Sequence, residues 1–302
     1  MAENTDYEDN IALACISTTS IFGLISNGLA LYMTRKMPRF RNAFGILCSS
    51  FLICNLQSII VLFTWSTIVL IAKNPLLSSS ELFLARVIGV FVNGGWFGAL
   101  FVHFFVALNR LCAVVYPNIK NYEAKALAAG IISWTLGMTI CMIHLFKDCS
   151  LLFDGKTYDF YYQDSFYGTI CNYGDSGLAL IAIVAMTSLD TVTLTKILAH
   201  RRIMPGNSVK SSDARNEKEI LFFKQSSLLG FVFFICFAIL VSHEYLFTDK
   251  WLIFAACTIT WIMMLSLDGL LFLIFNFKML WKKSGLSVAP TTSKCHHIVT
   301  RF

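Results

Sequence analysis

Arg110, Asp190 and Asp268 are ionisable side chains that lie within apolar stretches of the chain. The 23 residues before Arg110 carry no formal charge, and Asn109 directly precedes it. A charge in hydrocarbon costs about 2.5–3.5 kcal/mol on insertion scales, so such groups usually face polar partners and mark functional positions. Arg110 can bind a carboxylate or a partner protein through its guanidinium, or it can simply extend to lipid headgroups. Asp190 can equally mark an early end of its apolar segment.

The elements that hold these charges are membrane spans. Hydrophobic residues make up 56% of the sequence and charged residues 14%, against about 25% charged in soluble domains. About 20 apolar residues cross a bilayer as a helix, and this length predicts seven spans: Ile11–Met33, Ala43–Thr67, Leu82–Cys112, Lys125–Phe146, Gly174–Leu198, Ile220–Ser242 and Trp251–Phe275. The fifth is the weakest, and six spans remain an alternative. The fold class is therefore an all-α membrane protein, a seven-helix bundle.

The distribution of basic residues predicts the orientation. The segments after spans 1, 3 and 5, the span ends that border them and the C-terminal tail contain 19 of the 24 Lys and Arg residues, and cytoplasmic loops collect such residues. We therefore expect an extracellular N-terminus (1–10), a bundle (11–275) and a cytoplasmic amphipathic helix and tail (276–302), in a multi-pass protein of the plasma membrane. Membrane lipid explains the net charge of +6, and no nucleic-acid partner is expected.

The cysteines predict one disulfide bridge. Seven of the ten lie in or at the edge of spans, where we expect free thiols. Cys149 and Cys171 share a loop that is predicted to be extracellular and hence oxidising. A bridge between them would stabilise the loop by roughly 3 kcal/mol.

The sequence carries no signature of an enzyme. It has no glycine-rich phosphate loop, no H-E-x-x-H and no nucleophile elbow, and its His and Cys residues are scattered without the spacing of metal ligands. We therefore expect neither catalysis nor a metal or other cofactor.

Several short motifs follow one another in a familiar order. The stretch "NRLCAVVYP" resembles the (Asp/Glu)-Arg-Tyr-x-Ala-(Ile/Val)-x-x-Pro motif of rhodopsin-like seven-helix receptors, with Arg110 in the place of its arginine. Further positions resemble the family's motifs in spans 1, 2, 4, 6 and 7: Asn27, Asn55, Trp134, Phe233–Phe237 and Asp268–Phe272. The pair "RNAFGILCSS" and "ALNRLCAVVYP" is most similar to nematode serpentine receptors of class X, a chemosensory branch.

This resemblance implies a G-protein-coupled receptor, in which an extracellular ligand and a cytoplasmic heterotrimeric G protein bias one two-state bundle. Arg110 would be the inner contact, held at rest by Asn109 or Asp190. Asn27, Asn55 and Asp268 would form the interior switch with Phe272, or else a purely structural hydrogen-bond cluster. His103 is expected to be a satisfied interior histidine rather than a proton switch.

The chain also departs from the family's pattern. Asn109 replaces the acid before the arginine, and Asn55 replaces an aspartate, so the family's sodium pocket is in doubt. Ile239 and Gly269 stand where spans 6 and 7 usually have proline. A proline hinge in span 6 is therefore not available.

A ligand site is expected in the outer half of the bundle. Asn93, Trp96 and Phe97 share one face of span 3, and spans 6 and 7 would add Phe237, Thr258 and Trp261. Such aromatic residues are also common in plain packing. The pocket suits a small organic molecule, with a peptide as the alternative. His243 and Glu244 would gate its mouth or form a solvated loop edge.

Two other classes of membrane protein remain open. A transporter or channel would carry paired interrupted helices and a continuous polar path, and the sequence has no internal repeat of that kind. An accessory protein that assists another receptor would lack nucleotide-exchange activity altogether.

Overall fold

The computed structural model describes residues 2–115, 122–203, 228–243 and 246–284. Its helices are α1 (Ala2–Lys36), α2 (Ala43–Ala72), α3 (Phe83–Val115), α4 (Tyr122–Cys141), α5 (Phe166–Ile203), α6 (Leu228–His243) and α7. The last begins as Lys250–Phe254, continues through a π-helical turn, Ala255–Ile259, and ends as Thr260–Ser284. Six of these helices are long and apolar enough to cross a membrane, and α6 is a shorter apolar helix. The predicted seven-helix bundle is confirmed.

The described helices run past both of the expected boundaries of the bundle. Helix α1 already begins at Ala2, so residues 2–10 of the expected extracellular segment are helical. The acidic residues of its first turns favour a helix N-terminus, and Asp6 and Glu8 form ion pairs with Lys73 and Lys250. At the other end, α7 continues through position 277 to Ser284 without a break. Residues 277–284 contain no Gly or Pro. The expected amphipathic helix and tail (276–302) are described only as far as Ser284, as a continuation of α7, and residues 285–302 lie outside the described part.

Polar caps fix where the helices start. The side chain of Asn42 accepts a hydrogen bond from the backbone N–H of Gly45 at 3.0 Å and begins α2. Asp249 accepts from the backbone N–H groups of Trp251 and Leu252 and begins α7. Each cap satisfies amide groups that have no partner within their own helix.

A β-hairpin covers one end of the bundle. Strand β1 (Leu151–Asp154) pairs antiparallel with β2 (Asp159–Tyr162), and a disulfide joins Cys149 to Cys171, with a Cα–Cα distance of 5.8 Å. Phe153 and Tyr158 are buried, so the hairpin belongs to the hydrophobic core. We call this end of the bundle, which also holds the first turns of α1, the hairpin end. The end that holds Arg110 is the arginine end.

Glycine permits the closest approach between α1 and α7. A Cβ atom on Gly269 would lie 2.6 Å from the backbone nitrogen of Asn27 and 2.7 Å from its Cα. No side chain fits in that space, so the glycine sets the separation of the two helices. Asp268, the next residue, is thereby held at the centre of the bundle.

Candidate functional site

A cavity of about 410 Å³ opens at the hairpin end. It lies between β2, α3, α5, α6 and α7. Of the six side chains expected to contact a ligand, four line this cavity: Asn93, Trp96, Phe237 and Trp261. The hairpin adds Phe160 and Tyr162, which sequence analysis did not foresee.

Phe97 and Thr258 are not among the residues that line the cavity, contrary to expectation. Phe97 is fully buried behind Trp96, and the centroids of the two rings are 4.8 Å apart. The Thr258 hydroxyl donates to the backbone carbonyl of Tyr158 at 2.7 Å. Both residues therefore support the wall of the cavity from outside.

A buried polar cluster forms part of the cavity wall. The amide nitrogen of Asn93 donates to Asp175 Oδ2 at 2.7 Å, and the Tyr162 hydroxyl donates to the same oxygen at 2.6 Å. Burial, followed by the charge of Asp175, raises the pKa of Tyr162 well above its ordinary value. The tyrosine therefore remains a neutral donor beside the carboxylate.

His144 completes this cluster. Its Nδ1 lies 3.0 Å from the carbonyl oxygen of Cys149, and because a carbonyl can only accept, Nδ1 carries the proton. Its Nε2 lies 3.0 Å from the Asn93 amide and 3.1 Å from Asp175 Oδ2. A small ligand that reached this wall would find an amide, a phenol and a carboxylate, with the fully buried imidazole of His144 behind them.

The sequence contained one signal for this cluster. Asp175 is an acid inside the predicted fifth span, the same signal that singled out Asp190 and Asp268. His144 and Tyr162 gave no comparable signal, because the hairpin that brings them to Asn93 was not predicted.

A second polar cluster lies deeper in the bundle. Asp268 Oδ2 accepts from the Asn55 amide nitrogen at 2.6 Å and lies 3.0 Å from His103 Nε2. With Asp268 as a carboxylate, which only accepts, His103 Nε2 is the donor of this pair. All three side chains are buried. The structure thus brings Asn55 and Asp268 together as expected and adds His103 to them.

Asn27 takes a different position from the one expected. Its amide nitrogen donates to the backbone carbonyls of Gly23 and Leu265 at 2.9 and 3.1 Å, and so ties α1 to α7. Among the described residues it makes no hydrogen bond with Asp268. The backbone contact at Gly269 directs the amide toward the carbonyls of α7.

Aromatic rings surround the His103 imidazole. The Phe51 ring stacks on it with centroids 4.4 Å apart, and the Phe233 ring meets it edge-on at 5.3 Å. His103 therefore contacts α2, α6 and α7 from its place on α3. Phe272, one turn beyond Asp268, is fully buried against Phe40, with ring centroids 5.1 Å apart.

Arg110 forms an ion pair at the arginine end. One guanidinium nitrogen lies 3.0 Å from Asp190 Oδ1 and 3.3 Å from Oδ2, and Nε donates to the Val106 carbonyl at 3.3 Å. Both charged side chains are about nine-tenths buried, with 11% exposed. Asn109 was the alternative partner, but within the described part of the chain the side chain that accepts hydrogen bonds from Arg110 is Asp190.

One set of side chains with metal-ligating atoms occurs among the described residues. Asp159, His243 and Cys257 place one such atom each within 4.8 Å of one another. The residues expected at this mouth were His243 and Glu244, and Glu244 lies outside the described residues.

Comparison with known proteins agrees with this architecture. No curated protein sequence matches the chain significantly. A family model described as "Serpentine type 7TM GPCR chemoreceptor Srx" matches residues 18–276, which reach from within α1 to within α7. Because the match spans well over half of the sequence, the chain belongs to the Srx family of serpentine seven-transmembrane chemoreceptors.

Proposed function

We propose that the chain binds a small extracellular molecule in the cavity of the hairpin end and activates a heterotrimeric G protein at the arginine end. In this proposal the hairpin end faces outward at the plasma membrane and the C-terminus is cytoplasmic. The disulfide supports this orientation because such bonds persist in oxidising compartments. The pooling of Lys and Arg at the opposite end supports it as well.

The size and lining of the cavity favour a small molecule over a peptide. Ligand pockets typically enclose about 300–1,000 Å³ and combine apolar walls with a few polar groups. This cavity is at the lower end of that range. Trp96, Trp261 and Phe160 supply apolar walls, while Asn93 and Asp175 supply a donor and an acceptor.

The helices that line the cavity also carry the interior cluster. Trp261 and Asp268 are two turns apart on α7, and Phe237 and Phe233 are one turn apart on α6. His103 contacts both Asp268 and Phe233. A ligand that moves Trp261 or Phe237 therefore acts on helices that meet at His103, a physical link between the two ends of the bundle.

The observation that carries the proposal is the buried ion pair between Arg110 and Asp190 at the end opposite the cavity. The pair joins α3 to α5. When these helices separate, the guanidinium loses its carboxylate and becomes available to acceptor groups of a G protein.

A reporter assay tests the proposal. Cells that express the receptor with a promiscuous G protein are screened with small organic compounds, and nucleotide exchange is measured for wild type and for Arg110→Ala. We expect at least one compound to activate wild type while the variant reaches the cell surface and stays silent. Arg35→Ala is the matched control, because it removes an exposed charge on α1, and it should respond normally.

Three outcomes would contradict the proposal. A normal response from Arg110→Ala would exclude this arginine as the G-protein contact. Compound flux across the membrane that is insensitive to Arg110→Ala would indicate a transporter, and surface expression without exchange for any compound would indicate an accessory protein.

A further inference from the structure

We propose that Asp159, His243 and Cys257 form a binding site for a zinc-like divalent metal ion in the wall of the cavity. The three residues come from three elements: Asp159 from β2, His243 from the end of α6, and Cys257 from the π-helical turn of α7. Their ligand atoms all lie within 4.8 Å of one another. Asp159 and Cys257 are only 8% and 4% exposed, so these groups converge inside the protein.

The distances fit a metal after a small movement. Zinc binds nitrogen and oxygen at about 2.0–2.2 Å and sulfur at about 2.3 Å in tetrahedral geometry, which places neighbouring ligand atoms about 3.5 Å apart. The widest separation in the cluster exceeds this by about 1 Å. Rotation about side-chain torsions covers such a distance without moving a helix.

Two of the three ligands are already oriented by a hydrogen bond. His243 Nδ1 lies 2.6 Å from the carbonyl oxygen of Leu240, so Nδ1 carries the proton and Nε2 retains the lone pair that a metal needs. Asp159 Oδ1 accepts from the Thr157 hydroxyl. Outer hydrogen bonds of this kind orient the ligands of metal sites.

The chemistry of the set favours a borderline-soft ion. Imidazole suits zinc, copper and nickel, and thiolate excludes magnesium and calcium, which prefer oxygen ligands. On binding, metal–oxygen, metal–nitrogen and metal–sulfur bonds form, and the Cys257 thiol releases its proton to solvent. No oxidant or reductant takes part.

Three protein ligands leave the fourth tetrahedral position open. His243 and Cys257 both line the cavity, so the open position faces the space where a ligand would bind. We infer that the preferred ligands carry a metal-binding sulfur or nitrogen atom. This inference about the ligand rests on the proposed function, whereas the metal site itself does not.

Metal binding is measured on the purified receptor in lipid nanodiscs, without any signalling readout. The protein is stripped with a chelator and titrated with Zn²⁺, and with Co²⁺ as an optical probe. We expect one equivalent of metal, a thiolate-to-cobalt absorption band and a higher thermal midpoint of unfolding. Cys257→Ser should abolish the band, and His243→Asn and Asp159→Asn should each weaken affinity by at least about tenfold, the lower limit for outer-shell changes alone.

Cys236→Ser is the matched control, since Cys236 is a half-buried free thiol of α6 outside the cluster. It should keep both the band and the affinity. Wild type supplies a test that needs no mutation, because its thermal midpoint should rise when Zn²⁺ replaces the chelator. Two results would overturn the site. One is a thiolate-to-cobalt band that persists in Cys257→Ser. The other is equal metal binding by wild type and by the variant that combines Cys257→Ser, His243→Asn and Asp159→Asn.

Imidazole then probes the open position. Added to the cobalt-loaded receptor, it should shift the visible cobalt bands by occupying the fourth site. If imidazole leaves the cobalt spectrum unchanged, the inference about the class of ligand is wrong, but the proposal of a metal site is not affected. Failure of G-protein exchange would affect neither measurement, so the two proposals fail separately.

Discussion

The Arg110 guanidinium lies 3.0 Å from the Asp190 carboxylate and joins α3 to α5. The neighbour that precedes the arginine is Asn109, so the restraint comes from another helix and not from the adjacent residue. Separation of α3 from α5 therefore has to break this ion pair.

Asp190→Asn should raise basal nucleotide exchange. The substitution removes the charge that holds Arg110 and so destabilises the resting state. A destabilisation of about 1.4 kcal/mol shifts the equilibrium between the resting and active states about tenfold. Exchange without ligand, normalised to surface expression, measures the effect. Asp190→Glu retains the charge and should stay near wild type, and equal basal activity in all three proteins would refute the restraint.

His103→Phe should destabilise the bundle. It keeps an aromatic ring against Phe51 but removes a donor from the buried Asp268 carboxylate. A hydrogen bond to a charged group contributes about 1.5–3 kcal/mol. The measurement is the loss in free energy of unfolding that His103→Phe causes in detergent, once in the wild-type protein and once in the Asp268→Asn variant.

The cost of His103→Phe should be smaller in the Asp268→Asn background, because the charge is already absent there. Such non-additivity is typical of residues in contact. If the cost is the same in both backgrounds, the histidine does not act through the carboxylate.

Gly269→Ala should destabilise the contact between α1 and α7. The added Cβ would lie 2.6 Å from the Asn27 nitrogen, and overpacking of this kind costs about 1–3 kcal/mol. Gly28→Ala is the matched control, since its Cβ would meet nothing within 4 Å, and it should gain about 0.5–1 kcal/mol. If the thermal midpoints of Gly269→Ala and Gly28→Ala both rise relative to wild type, the close approach of α1 and α7 at Gly269 does not limit stability.

The stabilising effect of Tyr162 should disappear in alkali. Its pKa is raised in the folded state, so the native protein retains the phenolic proton longer than the unfolded chain, whose tyrosines titrate near pH 10. The contribution is therefore complete below about pH 10 and is lost as pH rises through the folded-state pKa. The difference in thermal midpoint between wild type and Tyr162→Phe should narrow above about pH 10.

Two other tyrosines do not disturb this comparison. Burial also raises the pKa values of Tyr158 and Tyr161, but both residues are present in both proteins. Tyr167→Phe, at an exposed position of α5, serves as the control. A difference that stays constant from pH 8 to pH 11 would contradict the buried phenol.

The pairing of Asn55 with Asp268 was predictable from the sequence, whereas the polar wall of the cavity was not. Asp268 had to find a polar partner because an unpaired acid in a membrane span is costly, and Asn55 is that partner. His103 was expected to have a hydrogen-bond partner inside the bundle, and its Nε2 contacts the same Asp268 carboxylate. These contacts join regularly spaced helices whose inward faces the sequence reveals.

The wall of the cavity depends on irregular structure that leaves no periodic pattern. The hairpin places Tyr162 beside Asp175, and the π-helical turn places Cys257 near Asp159. Four-residue strands and a single π turn are too short for hydrophobic periodicity to detect. The sequence therefore predicted Asn93 as a lining residue but not the groups it contacts.

The anchors of Tyr158 have a consequence for biosynthesis. Its hydroxyl donates to Asp9 in the first turns of α1, and its carbonyl accepts from Thr258 in α7. These partners are 149 residues before and 100 residues after it, so the hairpin can seat only once the ribosome has delivered almost the whole polypeptide. A chain truncated before Thr258 would therefore leave the hairpin without one of its two anchors.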